Sequence, residues 1–310
     1  MKPLLRRLLI WVALPVLLVS LAVWSWTPRE PSWDGRSLRE WLKDLEPART
    51  RNPSAVDEQN AAAARRAIQG MGTNCLPFLL RRIERIEPAP LEKMLIQLEE
   101  QLADQGVKVP WTRTQTRLEL EVYDACDAVK ALGNQAVAAV PEFKRWLLSS
   151  SDVKVSMGAY LLSEMAPEGI AVLIAASTNR TMLNRAAVAV RLHSIASEHP
   201  QAFTALLGMT ADADPGVRGH AGYLITSSHY EAAVIWPVIN RLLADVESSV
   251  RRVILGKLER FRGDLRPAEP ALRALLTDPD PETRSQAKAL LDKIKAASPT
   301  PPPAPPAPPP

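Results

Sequence analysis

Residues 64–83 read ARRAIQGMGTNCLPFLLRRI: an apolar-periodic run, a glycine, a short link, then a proline leading a second apolar run. Glycine accepts the positive φ that ends a helix, and proline starts one where the backbone N–H needs no partner. The stretch therefore predicts two helices joined by a tight turn. It returns at 125–148 as ACDAVKALGNQAVAAVPEFKRWLL, with Ala64, Ala67 and Gly72 matched by Ala125, Ala128 and Gly133.

The proline recurs further on. Pro77, Pro141, Pro167, Pro200, Pro237 and Pro270 each open an apolar run, at steps of 64, 26, 33, 37 and 33 residues. These are one or two copies of a unit of roughly 33 residues, the period of stacked helix pairs. From Asp152, Asp214, Glu247 and Asp280 the runs DVKVSMGAYLL, DPGVRGHAGYLI, ESSVRRVILGKL and DPETRSQAKALL align without gaps, each led by a carboxylate at a helix N-terminus. Ala125, Ala159, Ala187, Ala221, Ile254 and Ala287 form a row of small or apolar positions where two helices approach closely. The fold class is all-α: a solenoid of about seven stacked helix pairs over residues 56–297, interrupted by an insertion at 87–114.

Asp-x-x-Val-Arg followed by Ala, with a helix-starting proline in the second helix, resembles the HEAT repeat family, including the short HEAT-like repeats of phycobilin lyases. The resemblance spans residues 56–296 and implies a right-handed solenoid whose second helices line the concave side. It speaks for fold, because each matching residue is structural. Deoxyhypusine hydroxylases of this type hold di-iron with His-Glu dipeptides. No such dipeptide occurs here, so that activity is not carried over, and nothing points to a bilin pocket.

Residues 8–26, LLIWVALPVLLVSLAVWSW, are uncharged and long enough to cross a bilayer as a helix. They read as one N-terminal transmembrane anchor behind the basic tail 1–7. The alternative is a signal peptide cleaved near Ser20-Leu21-Ala22. On either reading the solenoid lies outside the cytoplasmic membrane. TPREPSWDG (27–35) is a polar linker. SLREWLKDL (37–45) follows as a short capping helix with Ser37 and Glu40 as its capping box and Leu38, Trp41, Leu42 and Leu45 on one face. The tail 298–310, SPTPPPAPPAPPP, is a disordered or polyproline segment.

Formal net charge is +4. Setting aside Lys2, Arg6, Arg7, Arg29 and Glu30 leaves 34 basic and 33 acidic side chains, so the folded part lacks the basic excess of a nucleic-acid binder. A nucleic-acid-facing role would need a cytoplasmic domain. Cys75 and Cys126 fall on apolar stripes and read as buried thiols, with a disulfide as the alternative. The four histidines, His193, His199, His220 and His229, form no metal-ligand pattern, and nucleotide and hydrolase motifs are missing. No cofactor, metal or catalytic residue is expected.

Two surface features remain. Arg81, Arg82, Lys144, Arg145, Arg241 and Arg273 lie on second helices and form a candidate basic ridge for an acidic protein partner. GIAVLIAAS (169–177) and AFTALLGM (202–209) carry no charge, and an all-apolar helix is buried by something. Either the 91–105 insertion covers them or they open as an apolar groove. The function expected from the sequence is a non-catalytic, membrane-anchored interaction scaffold; the alternative is an enzyme or enzyme-accessory subunit using the solenoid cleft.

Overall fold

The computed structural model describes residues 30–46, 52–87, 90–105, 114–226 and 230–297. The expected anchor 8–26 and the expected tail 298–310 lie outside them. The chain divides into two compact units at Ala136/Val137.

The first unit opens with a hairpin where a plain linker is expected. Strands β1 (Ser32–Trp33) and β2 (Arg36–Ser37) pair antiparallel through Asp34 (φ 49°) and Gly35 (φ 75°). Asp-Gly takes two positive φ values readily, which is the demand of a two-residue hairpin turn. Helix α1 (Leu38–Lys43) follows with the expected capping box, and Leu38, Trp41, Leu42 and Leu45 are buried. The Trp41 indole N–H donates to the Trp33 carbonyl at 3.1 Å, tying the hairpin to α1. Helix α2 (Ala55–Met71) is capped by Ser54 and ends at Gly72, φ 64°. A 3-10 turn (Gly72–Cys75) leads into α3 (Leu76–Glu84), with Pro77 in its first turn. Helix α4 (Pro90–Asp104) is the insertion, and α5 (Thr114–Leu132) packs against α1, α2, α3 and α4. Gly133 takes φ 56°, as the sequence requires. The Gln135 side chain reaches back to donate to the Gln69 carbonyl at 3.2 Å. Cys75 and Cys126 are buried thiols that form no disulfide, and burial pushes the Cys75 thiol up to about 11.

The second unit begins with α6 (Val140–Trp146). Four helix pairs follow: α7 (Asp152–Ser163) with α8 (Glu168–Ser177), α9 (Arg185–Ile195) with α10 (Pro200–Met209), α11 (Pro215–Thr226) with α12 (Ala232–Leu243), and α13 (Ser248–Glu259) with α14 (Glu269–Ala274). Helix α15 (Pro281–Ala297) closes the row. The first helices α7, α9, α11, α13 and α15 stack in succession; α7 packs on α8, α9 on α10 and α11 on α12, while α14 packs on α15 and α12. Among the second helices, α6 meets α8, α8 meets α10, and α12 meets α14. This is a helical repeat.

The repeat is fastened by a ladder of arginines and aspartates. Arg185, Arg218, Arg251 and Arg284 recur every 33 residues, as do Asp212, Asp245 and Asp278. Arg185 pairs with Asp212 of the next repeat. Arg218 holds Asp245 with two hydrogen bonds of 2.7 Å, and Arg251 Nη2 reaches Asp278 Oδ1 at 2.8 Å. Nη1 of Arg218, Arg251 and Arg284 donates to two carbonyls of the preceding loop: Asp212 and Ala213, Asp245 and Val246, Asp278 and Pro279. Each aspartate also accepts from the backbone N–H two residues on, at 2.8 to 3.0 Å. Burial requires this satisfaction: a guanidinium out of water must have its charge and its N–H groups met.

The ladder corrects the sequence register. Val155, Val188, Ala221, Ile254 and Ala287 lie 33 apart and are all at most 1% exposed, whereas Ala187 is only half-buried. The steps of 34 and 28 around Ala159 and Ala187 came from aligning small residues, and the buried ion pairs impose the even step instead. Pro237 differs too. It lies inside α12, which starts five residues earlier at Ala232.

Candidate functional site

An open groove of about 550 Å³ lies between α6 and α8 of the second unit. Leu147 and Leu148 line one side; Ala171, Val172, Ala175 and Ala176 line the other. Thr178, Asn179 and Met182 close the end beyond α8, and Lys144 stands on the α6 wall. The local sequence explains the opening. Helix α8 carries only Glu168 as a charged residue, at its N-terminus, and its solvent side presents Ala171 and Ala175. Small side chains leave room for another backbone to come close, while Leu173 and Ile170 point inward and hold α8 to its neighbours. Leu148 is 57% exposed at the edge.

The groove sits where the ladder lacks a rung. Counting back 33 residues from Arg185 and Asp212 gives Asp152 and Asn179 in place of arginine and aspartate. Asp152 accepts instead from the Asn184 side chain at 3.0 Å, and Asn179 Oδ1 caps its own loop by accepting from Thr181 N at 3.0 Å. A neutral amide therefore lines the groove at the position that elsewhere anchors a buried ion pair.

The six cationic residues expected to form a ridge divide between the units. Arg81 and Arg82 lie on α3 in the first unit, where the Arg81 guanidinium stands 5.9 Å from the Phe78 ring. The other four lie in the second. Arg145 is engaged by Glu142, whose carboxyl the arginine holds low, and Glu142 also accepts from the Trp146 indole at 2.8 Å. Arg273 pairs with Glu269 at 2.6 Å, and Arg241 donates to the buried Thr210 hydroxyl at 2.5 Å. Lys144 is the ridge residue that enters the groove, and it makes no ion pair among the described residues.

A second cluster gathers where α9 ends, with residues of α10 and of the segment before α12. His193 Nδ1 lies 3.3 Å from the Tyr230 hydroxyl, and the Tyr230 ring stacks on Phe203 at 4.2 Å. Burial, with the Lys257 charge adding to it, holds His193 below its usual range. Lys257 itself lies over the Tyr223 ring at 4.3 Å. Burial lowers His220 as well. His229 lies outside the described residues. Among the described residues, no group of three or more His, Cys, Asp or Glu side chains is placed to hold a metal ion.

No protein-family model matches this chain, and no curated protein matches it. Solved structures do. Human deoxyhypusine hydroxylase in complex with glycerol is 16% identical, with 84% of this chain and 97% of that chain covered, at a TM-score of 0.33. The complex of CpcE and CpcF of phycocyanin lyase from a Nostoc species is 15% identical, covering 86% and 98%, at a TM-score of 0.28. Likeness at these values is one of helical architecture and transfers no activity.

Two expectations are corrected here. Among the described residues, no helix is long and apolar enough to cross a membrane, and the expected span 8–26 lies outside them, so the single-pass placement with the solenoid outside the cytoplasmic membrane finds no support in the structure. The non-catalytic, membrane-anchored scaffold falls with it.

Proposed function

We infer that this chain is an enzyme-accessory subunit that holds a helical segment of a protein partner in the α6–α8 groove. The observation that carries this reading is the lining itself. It offers apolar area, small residues at helical spacing on α8, one unpaired ammonium and one amide. These are means of holding a chain. An amphipathic helix laid in such a groove is read through apolar anchors a turn apart, and a carboxylate on its flank completes Lys144. The missing ladder rung adds to the case, because Asn179 frees this edge from the ion pair that seals the later repeats.

The test places a photo-crosslinking residue at Ala175 of the full chain in its native cells. A crosslink to one partner, through an apolar helix bearing an acidic side chain, supports the reading. The crosslink should also vanish in Lys144→Glu. Crosslinks scattered over many proteins, or unchanged by the charge reversal, would defeat it.

A catalytic reading has one observation in its favour, the contact of His193 with the Tyr230 hydroxyl near Lys257, groups suited to proton transfer. His193→Gln with Tyr230→Phe would abolish an activity located there and leave groove binding intact.

A further inference from the structure

The ladder ends on an arginine that meets no carboxylate. Arg284 of α15 keeps the pose of the inner arginines. Its Nη1 donates to the Asp278 and Pro279 carbonyls at 2.6 and 3.0 Å, as Arg218 and Arg251 do to the loops before them. In Arg218 and Arg251 this hold aims Nη2 at the aspartate 27 residues on, at 2.7 and 2.8 Å. Every aspartate and glutamate of the chain lies among the described residues, and among them no carboxylate pairs with Arg284. Its fork is exposed where its counterparts are largely buried.

The surroundings are cationic. Lys288 stands one turn along α15, exposed and without an ion pair among the described residues. The same position 33 residues earlier is Leu255, fully buried. The neighbouring carboxylates are engaged: Glu282 by Arg252 at 3.0 Å, Asp280 by the Thr283 hydroxyl at 2.7 Å, and Asp292 by Lys295 at 3.7 Å. A terminal repeat needs a polar outer face in water. That need is met by charge alone and does not call for a guanidinium locked by two carbonyls. A fork held in advance loses less freedom on binding, and its two parallel donors match a carboxylate.

The inner rungs also describe the ligand. Asp212, Asp245 and Asp278 each accept from the backbone N–H two residues on, in a loop that leads into a helix. In a second copy of this chain those three aspartates are already engaged, and the position one step earlier is Asn179. We propose that Arg284 is the open last rung of the ladder and receives the carboxylate of a different protein, an aspartate that caps its own turn at the start of a helix, with Lys288 attracting the acidic partner. The site is independent of the α6–α8 groove.

The probe is a blocked, fluorescently labelled peptide copying residues 278–282, Asp-Pro-Asp-Pro-Glu, whose first aspartate fills the Arg251 rung in the folded chain. Its controls are the same peptide with Asp278→Asn and sodium acetate. Affinity for the full chain is read by fluorescence anisotropy. Location is read from the Arg284 Nε–H resonance, identified as the one lost in Arg284→Lys. The native peptide should shift that resonance saturably and bind at least about tenfold more tightly than the Asp278→Asn peptide, a difference of about 1.4 kcal/mol. Arg284→Lys keeps the charge, loses the fork and should weaken binding with an unchanged circular dichroism spectrum. Lys288→Glu touches no ladder contact and should weaken binding more at low salt than at high salt. Equal binding of the two peptides, an affinity unchanged in Arg284→Lys or in Lys288→Glu, or a shift no larger than acetate gives at equal carboxylate concentration overturns the proposal. Self-association of the full chain that is lost in Arg284→Lys would put the carboxylate on a second copy and overturn it as well.

Discussion

Arg218 and Asp245 stand 27 residues apart in sequence and 2.7 Å apart in space, joined by two parallel hydrogen bonds. The pair clamps α11 to the loop that starts the next repeat. Its side chains are 14% and 9% exposed, so neither charge is left to water.

Asp245→Ala should be strongly destabilising. It strands a mostly buried guanidinium, a change that costs about 3–5 kcal/mol. Arg218→Met together with Asp245→Ala should cost less than the sum of the two single changes, because no charge is then left unmatched. Thermal unfolding of the four proteins in the cycle checks this.

The same pair gives the stability a pH dependence at the acid end. Arg218 holds the Asp245 carboxyl below its usual value, through hydrogen bonding first. The stabilisation is present above the unfolded carboxyl pKa of about 3.9 and is lost as pH falls through the lower folded value. Urea midpoints should fall between pH 4 and pH 2 more steeply for the native chain than for the Arg218→Met, Asp245→Asn protein. Equal slopes would show that Asp245 contributes nothing there.

Ala175→Trp should fill the α6–α8 groove without unfolding the protein, since Ala175 faces solvent. The melting temperature should change little while partner crosslinking from Leu148 is lost. Retained crosslinking would place the partner elsewhere.

Gly133→Val should cost about 1–2 kcal/mol through the backbone alone. The residue sits at φ 56°, and nothing lies within 4 Å of an added Cβ. Gly72→Val adds the Gln135 side chain, 2.8 Å from the Cβ, to the same backbone penalty and should cost more. Chemical denaturation of both variants ranks them.

Val188→Ala should be clearly destabilising, because Val188 is fully buried in the row that the even 33-residue step defines and that the uneven alignment leaves out. Ala187→Ser, at the half-buried position of the uneven alignment, should change stability by far less. Comparable losses would revive the uneven register.

Much of the fold was legible from local chemistry. Gly72 and Gly133 mark helix ends because only a residue without a side chain takes positive φ freely, and Ser37 with Glu40 marks a helix start by capping its N–H groups. Pro237 was misread for the same local reason. A proline looks like a helix start, yet packing of Ile235, Trp236, Ile239 and Leu242 holds α12 through it. The site was legible only in part. The chargeless run 169–177 flagged the groove, Lys144 was among the ridge residues, and Glu142–Arg145 and Glu269–Arg273 stand at helical pair spacing, but nothing local said that Arg241 would be taken up by Thr210, 31 residues away.

The sequence by itself determined that this chain makes paired helices at a period near 33 residues, because helix starts, ends and apolar faces depend on neighbours a few positions away. Only the folded chain decides which arginine meets which aspartate, and therefore the register and the place at Asp152 and Asn179 where the ladder gives way to a groove. Those contacts join residues 27 positions apart, and a buried charge selects its partner by distance in space, which no local pattern encodes.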